Sequence, residues 1–250
     1  VDEVILVDGN STDRTLEVAR AIRPDIRVVQ ESARGKGSAL RTGFSVATGE
    51  IIVMLDADCS MDPQEIEHYV TPILRGADVV KGSRYLPGGG TADMTRMRHI
   101  GNRVLLGLVN TLYGSRFSEL CYGYMALRRD CVDVLQLAAS GFEIETEIVV
   151  RALRENLQVV EVPSYEAERR YGASNLNAVR DGFRVLDTLL TQRLRPATGR
   201  AALQLARANY VSSTPNGQSA EAQYNSPLVE IGASVLTTIE EPERVEAPAA

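Results

Sequence analysis

"EIIVMLDADCS", residues 50–60, decides the fold. The apolar run that ends in Met54 and Leu55 is short and bounded by polar residues, as in a strand buried on both faces of a parallel sheet. Asp56 and Asp58 then stand two positions apart where that strand ends. Three chemistries use such a pair. The carboxylates can shape a turn, act as acid and base, or hold a divalent cation against phosphate groups. Residues i and i+2 of a strand share one side. A strand prolonged through Asp58 would therefore aim both carboxylates at one ion. Mg²⁺ or Mn²⁺ suits such hard oxygen ligands. Two carboxylates leave the shell to be completed by water and by a phosphate ester or nucleotide diphosphate.

The flanks repeat the pattern. "DEVILVD", "DIRVVQ" and "ADVVKG" read as further strands, and "STDRTLEVARAI", "GKGSALRTGFSVATG" and residues 62–74 as helices between them. Ser11, Thr12 or Asp13 is placed to cap the first helix, and Pro63 to open the third. Alternation with short links predicts an α/β fold, a mostly parallel central sheet with helices on both faces. Ligands of such sheets gather at the carboxyl ends of strands, where Asp8, Asp56 and Gly82–Arg84 fall. "ARGKGSAL" puts Arg34 and Lys36 beside two glycines at a helix start, a place able to cradle an anion. It is neither a P-loop nor a dinucleotide fingerprint.

Beyond residue 90 the alternation loosens. "MRHIGNRVLLGLVNTLYG" reads as a helix with Ile100, Val104, Leu108 and Leu112 on one side. "CYGYMALRR" and "LQVVEVP" read as strands and residues 142–155 as a helix. Residues 175–194 predict an amphipathic helix striped by Leu176, Val179, Phe183, Leu186, Leu190 and Leu194. The plain reading packs that stripe on the domain. The other lays it, with Arg180, Arg184 and Arg193, on an anionic membrane surface. Residues 196–250, rich in Ala, Ser, Pro and Glu, read as linker and disordered tail.

The 250 residues carry a net charge of −6, which argues against nucleic acid as the main partner. Three cysteines without framework spacing fit a reducing, cytoplasmic setting. No apolar run is long enough to span a bilayer, and no signal peptide is visible.

Taken in order, "VILVDGNSTDRT", "ARGKGSALRTGFSVATGE", "DAD" at 56–58, "GSRY" at 82–85, "GYMALRRD", "GFEIETEIVVRA" and "EVPSYEAERRYGASNL" resemble the family 2 glycosyltransferases of the GT-A fold. The branch they resemble most contains the dolichyl- and polyprenyl-phosphate sugar transferases. The resemblance covers residues 1–195. It implies a metal-dependent, inverting transfer of a hexose from a UDP-, GDP- or dTDP-sugar to an acceptor, with polyprenyl phosphate as the expected acceptor. Asp8 would then recognise the nucleotide base, and Lys36 would join the donor site. Asp56 would face the nucleotide sugar, and Asp58 would be the principal ligand of Mg²⁺ or Mn²⁺. Arg84 would lie near donor phosphates or acceptor, and Arg169 and Ser174 near a diphosphate or acceptor phosphate. Glu119 stands where many members carry Asp and would be the base if the acceptor is a hydroxyl. Of Glu143, Glu145 and Glu147, Glu147 would help to shape the acceptor side.

Plain structural roles stand beside these: Asp8 as a cap, Arg84 as an ion-pair residue, Glu119 on a loop. The chain departs from the family pattern at Asn10, and at Asn175, where a lysine is frequent. It begins at Val1 inside an apolar run, without the family's first strand and P-x-x-N-E-like motif. The chain is thus expected to be N-terminally incomplete, unless another segment fills that place in the sheet. A soluble hydroxyl acceptor, a nucleotidyltransferase and a non-catalytic nucleotide-sugar-binding protein are the alternatives. Nothing in the sequence fixes the oligomeric state.

Overall fold

Each of the six apolar runs read as strands between residues 2 and 163 forms one. A computed structural model describes residues 1–169 and 176–195, all within one unit, Val1–Thr214. Strand β1 (Ile5–Asp8) leads through α1 (Thr15–Ile22) to β2 (Arg27–Gln30), and α2 (Lys36–Val46) leads to β3 (Ile51–Met54). A 3-10 turn, Pro63–Glu65, opens α3 (Ile66–Leu74) before β4 (Val79–Ser83). The Asp62 side chain caps that turn by accepting from the Gln64 amide. Next come β5 (Gly90–Thr91), α4 (Arg96–Tyr113), β6 (Met125–Arg128) and α5 (Arg129–Leu135). The described elements end with α6 (Ile144–Arg154), β7 (Val159–Pro163), β8 (Tyr165–Glu166) and α7 (Ala178–Leu194).

The strands form a four-stranded sheet of order β3-β6-β4-β7 and two-stranded sheets β1-β2 and β5-β8. β1 and β2 pair in parallel, as do β4 and β7. Three of the four strands of the larger sheet, β3, β4 and β7, run the same way, as expected of a mostly parallel sheet. β6 is inserted between β3 and β4 and runs against both, so the two ladders flanking it are antiparallel. The sheet is mixed, and no ladder among the described residues joins β1 to β3.

Period-2 alternation divides the core between the two faces. Met125 and Leu127 of β6 and Val79 of β4 pack with Phe44 of α2, α5 and Ile144 and Ile148 of α6. Tyr124, Ala126 and Val80 face the other way, onto Tyr69 and Ile73 of α3. A third cluster joins α4, α6 and α7 through Val109, Val150, Val185 and Leu189. Helix α6 touches neighbours on most of its circumference and buries eight of its eleven residues.

Two apolar stripes do not pack as expected. Ile100 and Val104 of α4 are exposed, whereas Leu108, with Leu105 and Leu106, packs against the third cluster beside the buried Asn102 and Val109. On α7, Val179, Phe183, Leu190 and Leu194 are exposed, while Val185, Leu189, Thr188 and Asp181 face inward. The plain reading of the α7 stripe is therefore corrected: α7 has an apolar contact on one side and an apolar stripe facing solvent. The readings of Ser174, Asn175 and the 196–250 tail lie outside the described residues.

Candidate active site

β3 stops at Met54, so the aspartates sit on the loop beyond it rather than on a prolonged strand. Cys59, with φ 63°, turns the chain between Asp58 and Ser60. The two carboxylates go to different cations. Asp56 Oδ1 lies 2.7 Å from Lys36 Nζ. Asp58 Oδ2 lies 3.1 Å from Arg169 Nη2, and its Oδ1 accepts from the Ser60 amide (3.1 Å) and hydroxyl (2.7 Å). Burial works to raise the Asp58 carboxyl, but the Ser60 hydrogen bonds and Arg169 outweigh it and hold it below the usual range.

Lys36 is the first residue of α2, and its ammonium bridges Asp56 and Glu145, the latter at 2.6 Å. The turn into α2 requires glycine: Gly35 has φ 118° and lies against the Ser140 carbonyl. Burial works against the charge on Lys36, but Glu145 and Asp56 more than offset it, so the group titrates above its ordinary value. Glu145 is pushed up by burial, against the pull of Lys36. Gly123, just before β6, leaves the space in which the triad meets. A Cβ there would stand 2.8 Å from Glu145 Oε1 and closer still to Lys36 Nζ.

Glu145 is the residue that sequence reasoning missed. Glu147, the expected member of the trio, instead accepts from the Ala138 and Ala139 amides and pairs with Arg151. Glu143 accepts from the Gly141 amide. Their spacing sets Glu145 on another side of α6 from Glu143 and Glu147, one turn apart, but only the approach of α2 decides which side meets a lysine.

Arg84 and Glu119 are both buried and paired with each other. Arg84 is buried, with Nε on Glu119 (2.8 Å), Nη1 on Glu166 (2.8 Å) and Nη2 on the Cys121 carbonyl (2.9 Å), and it lies over the Tyr122 ring. Glu119 is fully buried, and its other oxygen accepts from Asn102 and the Leu120 amide. Burial would raise its pKa, but Arg84 and its hydrogen bonds bring it below the ordinary value. In this arrangement the Glu119 carboxylate is occupied by Arg84, Asn102 and backbone amides. Glu161 and Lys81 extend the network beneath it. Asp8 is buried at the end of β1 and accepts from the Ser11 amide, closing its own turn.

No three Asp, Glu, His or Cys residues converge on a metal position among the described residues. A divalent cation here would take hard oxygens from Asp58 and Asp56 and the remainder from water and ligand phosphates. The charges fit such a guest. Lys36 alone faces two carboxylates, while Asp58 is balanced by Arg169, so the group carries an excess negative charge.

A family model described as "Glycosyl transferase family 2" matches residues 1–135. Glycosyltransferase AglJ of Haloferax volcanii is 32% identical over 72% of this chain and 59% of its own length. A dolichol-phosphate mannosyltransferase of Pyrococcus furiosus is 30% identical over 70% of this chain and 50% of its own. The chain thus spans about half the length of these curated relatives. Among solved structures, glucosyl-3-phosphoglycerate synthase from Mycobacterium tuberculosis, in complex with Mn²⁺, uridine diphosphate and glucosyl-3-phosphoglycerate, superposes with a TM-score of 0.60 at 26% identity. That match covers 80% of this chain and 71% of the other.

Proposed function

We propose that this chain, which belongs to glycosyl transferase family 2, moves a hexose from a nucleotide-diphosphate sugar to polyprenyl phosphate with a divalent cation bound. The observation that carries the reading is the meeting of Asp56, Asp58, Lys36 and Arg169 around the loop after β3. Four charged groups at one strand end suit a diphosphate and its cation better than a turn alone.

A bound Mg²⁺ or Mn²⁺ would neutralise the charge that develops on the leaving diphosphate. Asp58, aided by Asp56, would hold it. Lys36 and Arg169 would donate charge-assisted hydrogen bonds to phosphate oxygens once freed from their carboxylates. Ser174 and Asp8 stay assigned to the acceptor or diphosphate and to the base. Asp56 and Glu145 would orient the sugar, since their carboxylates keep lone pairs able to accept from hydroxyls. The acceptor oxygen would attack the anomeric carbon opposite the departing diphosphate, with inversion. A phosphate acceptor is already anionic and needs no strong base, which agrees with the enclosed position of Glu119.

The acceptor reading draws on α4 and α7. Among the described residues no helix is long and apolar enough to cross a membrane. Met97, Ile100 and Val104 of α4 and Val179, Phe183 and Leu194 of α7 are nevertheless exposed. The two helices pack side by side, with the Tyr113 hydroxyl on the Leu189 carbonyl. Arg96, Arg98 and Arg103 lie on α4, which has no acidic residue, and Arg180, Arg184 and Arg193 lie on α7. Apolar stripes flanked by arginine suit an anionic lipid surface. A second reading, transfer to a small soluble acceptor, is favoured by the likeness to the phosphoglycerate enzyme.

Sugar transfer from UDP-, GDP- and dTDP-sugars, with Mn²⁺ or Mg²⁺ and with EDTA, tests the proposal. Metal-dependent turnover that requires polyprenyl phosphate supports it. Turnover indifferent to that lipid selects the soluble acceptor, and no turnover with any donor refutes both.

A further inference from the structure

Strand β8 is only two residues long, yet it is tied on three sides. Tyr165 and Glu166 pair with Gly90 and Thr91 of β5, and the Ala92 amide donates to the Glu166 carbonyl at 2.8 Å. On the opposite side Met61 makes an antiparallel bridge to Glu166, and the Ala167 amide donates to the Ser60 carbonyl at 2.9 Å. The third tie is the Glu166 side chain. Its Oε2 accepts from Arg84 Nη1 (2.8 Å) and Thr91 Oγ1 (2.6 Å). A two-stranded pairing this short has little stability of its own. Its entry is held at Ser164 by the Ser83 carbonyl and at Tyr165 by the Glu65 carboxylate (3.0 Å), and the buried Glu166 side chain anchors the end that leads to Arg169.

What β8 holds is the site. Asp58 is bonded to the amide and hydroxyl of Ser60, whose carbonyl receives Ala167. The other member of the Asp58–Arg169 pair follows Glu166 three residues later in the chain. One partner is therefore attached to β8 through Ser60, the other through the backbone. Arg84 is itself fixed by Glu119 and Cys121, so this line of contacts ends in the core.

We propose that Glu166 is a positioning residue: clamped by Arg84 and Thr91, it sets the spacing of Asp58 from Arg169 and thereby the affinity of the site for a divalent cation with a nucleoside diphosphate. The proposal rests on the reading of Asp58 as a metal ligand. Glu166 touches neither guest. A glutamine in its place keeps an oxygen that accepts from both Arg84 and Thr91, whereas an alanine removes both anchors.

The test is Mn²⁺ binding to the full chain in the presence of UDP, followed by water-proton relaxation, for the parent, Asp58→Asn, Glu166→Ala and Glu166→Gln. Circular dichroism checks that each is folded. Asp58→Asn is expected to abolish tight binding. Glu166→Ala should weaken it about tenfold, as loss of supporting groups around a metal site does, and Glu166→Gln should stay within about threefold of the parent. Parent-like binding by Glu166→Ala, with binding lost in Asp58→Asn, overturns the positioning role and leaves the Asp58 reading standing. Parent-like binding by Asp58→Asn, or none by the parent, overturns the Asp58 reading and the inference with it. If Glu166→Ala does not fold, Thr91→Val removes one anchor alone. A loss of about threefold is then expected, and parent-like binding overturns the proposal.

Discussion

Replacing Gly123 by alanine adds one methyl group at the centre of the site. The new Cβ would stand 2.8 Å from Glu145 Oε1, 3.5 Å from Asp56 Oδ2 and nearest of all to Lys36 Nζ. Ordinary contact begins at 3.4 Å, so the glutamate oxygen must give way by about 0.6 Å and the ammonium by more. All three atoms are ends of flexible side chains, and the backbone need not move. The stability cost should therefore be at the low end of overpacking, about 1 kcal/mol, a fall in Tm of about 2–4 °C. The catalytic cost should be far larger. A misplacement near 1 Å loses about 10²-fold, which is about 2.7 kcal/mol of transition-state stabilisation. The assay is kcat/KM for sugar transfer beside a thermal melt. Activity within threefold of the parent would refute the view that the Lys36–Asp56–Glu145 triad serves the reaction. A fall in Tm above 10 °C would show that the methyl group acts on the core instead. Gly82→Ala provides the contrast: its Cβ would meet the buried Tyr122 ring at 2.8 Å and the Tyr69 hydroxyl closer still, so stability should fall first.

Glu119→Ala should destabilise by about 3–5 kcal/mol, because it leaves Arg84 buried with one carboxylate fewer; an unchanged melt with all turnover lost would mark Glu119 as a base instead. The lowered pKa of Glu119 makes its contribution present above the ordinary value of 4.5 and lost as pH falls through the lower folded value. Urea midpoints should therefore drop on the acid side, with a shallower drop in Glu119→Gln; identical acid limbs would count against this. Cys59 is exposed on the aspartate loop, whereas burial pushes the Cys121 thiol up to about 12. A maleimide at about pH 8 should modify Cys59 first, and Mn²⁺ with UDP should slow that reaction; an unaltered rate would move the donor elsewhere. Sedimentation with phosphatidylglycerol vesicles should retain the protein, phosphatidylcholine should not, and Ile100→Glu with Phe183→Glu should abolish retention; equal binding to both lipids would reject the charge-based reading of α4 and α7.

The sequence by itself determined what depends on neighbours along the chain. Alternating apolar runs placed the strands and helices, and the ordered motifs "DAD", "RGKG" and "GSRY" pointed to the family and to Asp56, Asp58 and Lys36. Composition and spacing could go no further, because a periodic stripe states which side of a helix is apolar, not whether another element covers it. The α7 stripe shows this, exposed at Phe183 and Leu194 while Val185 and Leu189 pack inward. Strand direction was likewise undecided, since the apolar residues of β6 suit either sense of pairing. Only the tertiary structure chose Glu145 over Glu147 as the partner of Lys36, across 109 positions of sequence. It also enclosed Arg84 between Glu119 and Glu166. A buried charge must find its counter-ion or not be buried at all, and which counter-ion it meets is set by how the helices and sheet pack.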